Sequence, residues 1–219
     1  MVGVSMTTHG SRLSVDANPR LLAAQFRIKN KDYFNLRDLY CTMHEWVKQN
    51  QWKDIQDNSE GDAHESFYFD KTDLYGDKEV WIWWRMWQFP DGEGGDSGNS
   101  FFRWRLDIDI NAKYMKDTEI MHKGKKVKTN HGEIEIKIWA WVEMDYNGEW
   151  SSHPILKFFL EIFNLRIFEG ELDKSKHELY RTAYNLQQYI KKWLKLRTWL
   201  PKFDREQFHP SRGVEEGAY

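Results

Sequence analysis

Indole rings, guanidinium groups and carboxylates share short segments of this chain, and their spacing decides what chemistry they could do. Twelve tryptophans occur in 219 residues. Trp81, Trp83, Trp84, Trp87, Trp139 and Trp141 fall in two stretches that read as strands. Side chains two apart on a strand share a face. Trp83, Arg85 and Trp87 therefore stand on one face of one strand, Arg103, Arg105 and Asp107 on one face of a second, and Trp139 and Trp141 on one face of a third. Indoles stack on guanidinium planes or flat ligands and donate an N–H to carboxylates. A surface so built binds a glycan, a base or a peptide. Covered by the first helix or the N-terminal segment, the same residues form a second core layer instead. Asp107, Asp109 and Glu143 must then neutralise the arginines.

A second cluster, His122 to Lys128, concentrates Lys123, Lys125, Lys126 and Lys128. It can hold phosphates of nucleic acid or lipid headgroups by a salt-dependent attraction. Lysines at such a place also deter edge-to-edge aggregation. The loop 90–99 carries Asp91, Glu93 and Asp96, oxygen ligands of the kind Ca²⁺ takes. It lacks the ligand order of an EF-hand and any phosphate-binding glycine pattern. Eight histidines are scattered with no close pair, so no metal site is expected, and no cofactor or catalytic triad signature is present. Asp107 and Asp109 share a face like a carboxylate pair, but Arg105 and Lys137 make charge compensation the better reading than acid catalysis. Cys41 lies in a helical pattern and reads as a packing residue.

Whole-chain properties exclude several classes. The formal net charge of -2 is unlike the visibly basic balance of a protein driven by nucleic acid. A mean hydropathy of -0.80 and the lack of a long apolar run exclude an ordinary membrane span. One cysteine permits no intrachain disulfide and points to a reducing, cytoplasmic setting. Residues 1–20 read as a flexible leader, 21–200 as one α+β domain and 201–219 as a flexible tail.

The elements that must position these residues follow from periodicity. Leu21–Lys29 reads as a short strand. Asn35 caps a helix running to about Asn50, with Leu36, Leu39, Tyr40, Met43, Trp46 and Val47 on one face. Glu65–Lys71, Lys78–Phe89, Ser100–Tyr114 and Glu133–Tyr146 predict an antiparallel meander of about four strands. Ile82 is expected opposite Ile108, and Ile108 opposite Ile138. A three-residue turn at His122–Gly124 sets Met121 against Lys125. The same alignment pairs Lys113 with Glu133, Asp109 with Lys137 and Arg103 with Glu143 across strands. A helical hairpin packed on the sheet closes the chain. Its first helix starts at Ser151 or Ser152 and ends near Phe168 before Gly170. Its second runs from about Asp173 to Thr198 across the aliphatic face. The first is apolar almost all round from Ile155 to Phe168 and too short for a bilayer. It is either sandwiched or an oligomer or membrane-surface contact.

The segments EVWIWWR (79–85), RLDIDI (105–110), KYMKDTEIMHKGKKVKT (113–129), GEIEI (132–136) and GEWSSHPILKFF (148–159) resemble a group of archaeal proteins of unknown function, over about residues 79–196. The resemblance implies a cytoplasmic, prokaryotic-type protein and carries no functional residue onto this chain. The reading that follows is a non-enzymatic binding or scaffolding module. It uses the Trp/Arg face or the helix 155–168, and its partner is a protein, another macromolecule or a second copy. The alternatives are a helix-grip carrier of a small apolar ligand and attachment to membrane or nucleic acid through residues 122–128.

Overall fold

The computed structural model describes residues 20–54, 64–90, 101–122, 125–146, 148, 152–156 and 169–196. The protein is α+β, with a six-stranded, mostly antiparallel sheet and two helices among the described residues. The strands are β1 (Arg20–Phe34), β2 (Lys53–Asp54), β3 (Glu65–Thr72), β4 (Lys78–Gln88), β5 (Phe102–His122) and β6 (Lys125–Met144). The helices are α1 (Leu36–Gln49) and α2 (Glu169–Trp193).

The expected meander is β3 to β6, each strand antiparallel to the next. Two strands enlarge it. β1 lies outside β6, and β2 shares with β3 the outer edge of β4. The first strand was expected only over Leu21–Lys29. It extends to Phe34, and Arg20, assigned above to the leader, is its first residue. Its polar second half, from Lys29 to Asp32, hides the alternation that marks a half-buried strand.

One face of the sheet is aliphatic, in rows that cross four strands. Ile82, Ile110, Ile136 and Ile28 form one row; Trp84, Ile108, Ile138 and Phe26 the next; Met86, Leu106, Ala140 and Ala24 the third. Both helices pack on this face. Asn35 Oδ1 accepts from the Asp38 N–H at 3.2 Å and its amide donates to Asp38 Oδ2 at 2.7 Å, capping α1 from both sides. Leu39, Met43, Trp46 and Val47 of α1 are buried, and the Tyr40 ring meets Trp84 edge-on at 5.1 Å. From α2, Leu179, Ala183, Leu186 and Ile190 are buried, and Trp104 Nε1 donates to Ser175 Oγ at 2.7 Å. Each such aliphatic side chain contributes about 1.5–3 kcal/mol by leaving water. Gly170, expected to separate two helices, lies inside the first turn of α2, where the backbone N–H needs no intrahelical acceptor. The helix expected before it lies outside the described residues from Lys157 onward.

Two registers differ from expectation. Between β4 and β5 the offset is two residues: Ile82 faces Ile110, Trp84 faces Ile108 and Met86 faces Leu106. A two-residue slip preserves both faces, so three apolar residues on each strand cannot distinguish the alternatives. The charges can. The expected register sets Arg85 directly against Arg105, whereas the observed one sets Arg85 against Asp107, exchanging a repulsive cross-strand pair for an attractive one.

Between β5 and β6 the expected pairs Ile108–Ile138, Lys113–Glu133, Asp109–Lys137 and Arg103–Glu143 all occur. The tip does not match, because Met121 faces Lys126 and His122 faces Lys125. A bulge between Lys113 and Lys116 absorbs the extra residue, with Tyr114 at φ 52°. Gly132 lies under it. A Cβ there would meet the Met115 Cα at 2.9 Å and the Lys113 and Tyr114 carbonyl oxygens at 3.0 Å. We therefore expect Gly132→Ala to cost about 1–3 kcal/mol in urea unfolding. Gly170→Ala, which meets nothing within 4 Å, should leave stability unchanged or slightly raised. Equal effects of the two would show that the bulge does not need the glycine.

Candidate functional site

All eight residues of the expected Trp/Arg surface lie on the sheet face opposite the helices, because opposed residues of paired strands point the same way. The rows are Trp83–Asp109–Lys137, Arg85–Asp107–Trp139, Trp87–Arg105–Trp141 and, one step on, Arg103–Glu143–Arg20. The register correction moves Asp107 from Trp83 to Arg85 and Arg105 from Arg85 to Trp87. α1, which was considered as a cover, packs on the other face through Tyr40 and His44 against Trp84.

The centre of this face is nevertheless shielded. Arg85, Arg105, Asp107 and Glu143 are all buried, so their charges must be matched locally. They are matched by one another. Arg85 Nη2 contacts Asp109 Oδ1 at 2.7 Å, and its Nε lies 3.8 Å from Asp107. Its Nη1 donates to the Trp84 carbonyl at 2.8 Å. Arg105 Nε donates to Asp107 at 3.0 Å and its Nη1 to Glu143 at 3.4 Å. Glu143 also takes Arg103 at 2.6 Å and Arg20 at 3.1 Å. Burial pushes the Asp109 carboxyl above its usual range, against the pull of Arg85.

This is a chain of alternating charges from Asp109 to Arg103, and it leaves the central guanidinium groups no face for a ligand. The expected compensation of Asp107 and Asp109 is what the geometry provides, with Arg85 as the partner that spacing alone did not identify.

The accessible part lies at the β3–β4 edge. Phe67 faces Trp83, and Phe69 faces Trp81. The Phe67 ring is 4.4 Å from Trp83 and 6.4 Å from Phe69, the latter pair stacked at 17°. Arg85 lies over Trp83 at 5.7 Å and Lys113 over Trp81 at 5.1 Å, within cation–π range. Phe67 is 39% and Phe69 46% exposed. Neither phenylalanine was among the expected site residues. The signal was their alternation in Glu65–Lys71, whose register against β4 could not be read without the turn.

A second grouping was also missed. His44 and His64 meet edge-on at 5.2 Å, and His64 Nε2 lies 3.0 Å from the Trp52 carbonyl. Burial, then the hydrogen bond and charge of Glu65, push the neighbouring Tyr40 hydroxyl well above its usual pKa. No group of three or more metal-ligating side chains occurs among the described residues.

Lys125, Lys126 and Lys128 of the expected basic tip lie at the end of a two-stranded ribbon. β5 pairs with β4 only as far as Met115 and β6 with β1 only from Asn130. Residues 117–122 and 125–129 therefore pair with each other alone among the described residues. Lys126 and Lys128 are exposed; Lys123 lies outside the described residues, as does the Lys125 side chain. No helix among the described residues is long and apolar enough to cross a membrane. Comparisons with protein-family models, curated proteins and solved structures give no match.

Removing one member of a buried ion network strands the others without compensation. Glu143→Ala is expected to lower the unfolding free energy by about 3–5 kcal/mol, measured by urea titration. A loss below about 1 kcal/mol, the size of an exposed pair, would mean the network contributes little.

Proposed function

We propose that this chain is a non-enzymatic protein-binding or scaffolding module. It meets its partner through the aromatic end of the Trp/Arg face, formed by Phe67, Phe69, Trp81 and Trp83. The carrying observation is the contrast within that face. Its ionic centre is buried and internally neutral, while the phenylalanines stacked at its edge stay open to water. Exposed aromatic clusters of this kind are typical anchors of protein interfaces. The charges on that face are mixed: Lys71 faces Glu79, Asp109 faces Trp83 and Lys113 lies over Trp81. A nucleic-acid platform needs a basic groove instead. A cytoplasmic setting, suggested by the lone cysteine, suits such a role.

The carrier alternative draws no support from the sheet–α2 contact, which Leu179, Ala183, Leu186 and Ile190 fill as fully buried side chains. The test is a photo-crosslinking amino acid placed at Phe67 and, as control, at Tyr180, which is similarly exposed at 45%. Position 67 should capture discrete protein bands in cells and position 180 should not. Equal yields, or none at 67, would refute the proposal.

One observation favours attachment through the ribbon as a second reading. It projects about 20 Å beyond its neighbouring strands, at roughly 3.4 Å for each residue. It carries Lys126 and Lys128 together with exposed Met121 and Val127. Low-salt binding to anionic vesicles or duplex DNA should disappear in Lys126→Glu/Lys128→Glu and weaken as salt rises. Absence of any low-salt binding by the unmodified protein would dispose of this reading.

A further inference from the structure

β3 is an edge strand among the described residues. Its bounds are Glu65–Thr72, and among the described residues it pairs with β4 alone. Every residue from Ser66 to Thr72 is exposed. It contains no proline. Its centre is Phe67-Tyr68-Phe69, with Tyr68 55% exposed on the side opposite the two phenylalanines. Soluble proteins blunt such edges or pair them.

Symmetry narrows the pairing. Two copies related by a two-fold axis normal to a shared sheet run antiparallel, and opposed residues must point to the same face. The axis therefore lies midway between one residue of β3 and the same residue of the copy. Centred on Asp70 or Lys71, it would oppose two like charges; centred on Phe67 or Tyr68, it would leave Lys71 with no opposed residue in the regular part of the strand, which ends at the irregularity between Glu65 and Phe67.

Centred on Phe69, it sets Phe69 against its own copy, Phe67 against Lys71 and Tyr68 against Asp70. Phe67, Phe69 and Lys71 share the Trp/Arg face, whereas Tyr68 and Asp70 share the other. Each contact is then favourable: aromatic on aromatic, ammonium on ring, and hydroxyl donating to carboxylate. Glu65 takes no part, since it faces Trp84 across an irregularity in the ladder and bonds Tyr40. The bulge ends the regular strand on that side, and the turn at Asp73–Asp77 ends it on the other.

We infer that the partner of the aromatic edge is a second copy of this chain, joined through β3 into one continuous antiparallel sheet in which Phe69 faces its own copy across the two-fold axis. The inference rests on the protein-binding reading of that edge and names its partner.

The test is sedimentation equilibrium of the full chain over a wide concentration range, with two variants. The unmodified protein should be a dimer. Phe69→Lys, a surface change that should preserve the circular dichroism spectrum, should raise the dimer dissociation constant by about 30-fold or more. In a Cys41→Ser background, oxidised Phe69→Cys should form a disulfide-linked dimer. Tyr68→Cys should not, because directly opposed Cβ atoms are about 5 Å apart and diagonal ones farther. A monomer at every concentration, or a dimer unaffected by Phe69→Lys, overturns the inference. If position 67 then crosslinks a different protein, the binding reading stands and only its partner is wrong; if it crosslinks nothing, both fail.

Discussion

The first half of β5, Phe102 to Ala112, is shielded from water on both faces, and that constraint organises the molecule. On one side Leu106, Ile108 and Ile110 are packed beneath the helices. On the other, Arg105 and Asp107 are buried as ions. A buried ion is tolerated only with a partner held at hydrogen-bond distance, because the desolvation cost runs to several kcal/mol. The partners must come from the flanking strands, so β4 supplies Arg85 and β6 supplies Glu143. Glu143 in turn draws Arg103 from the same strand as Arg105 and Arg20 from the far edge. The charge pattern thereby selects a register that the aliphatic face tolerates but does not choose.

Saturating the arginines in this way leaves the rings at the β3 edge as the exposed aromatic part of that face. An indole over a guanidinium group that already holds two carboxylates offers little to a charged ligand. The open rings of β3 have no such commitments. Their neighbours along β4, Trp81 and Trp83, lie within cation–π range of Lys113 and Arg85. The opposite end of the sheet behaves differently. Beyond the bulge at Tyr114 neither helix covers the ribbon, so its residues lose the apolar alternation and carry Lys, Thr and Glu instead.

The grouping of Tyr40, His44, His64 and Glu65 around Trp84 shows how a mostly apolar face handles polar groups at its margin. The Tyr40 hydroxyl donates to Glu65, and burial together with that carboxylate pushes its pKa above the usual value. That bond ties α1 to the start of β3, where the ladder with β4 is irregular. The edge strand is therefore anchored at one end by α1 and at the other by its turn.

Much of this was legible in the chain itself. Alternation over Phe102–Ile110 and Ile134–Val142 determined which side chains share a face, because the period of a strand is two whatever its neighbour. Complementary charges at Arg103, Asp109 and Lys113 were enough to align β5 with β6. The Asn35 cap and the spacing of Leu39, Met43, Trp46 and Val47 determined α1. The two-residue offset of β4 could not be read from the apolar faces, since a slip of two leaves every face intact; its signal lay in the charges, which oppose Arg85 to Arg105 in one register and to Asp107 in the other. The extension of β1 to Phe34, its place outside β6 and the short strand β2 were likewise decided by which edges remained open rather than by any local pattern. So was the exposure of Phe67 and Phe69, because sequence spacing assigns a residue to a face but cannot say whether another element will cover it.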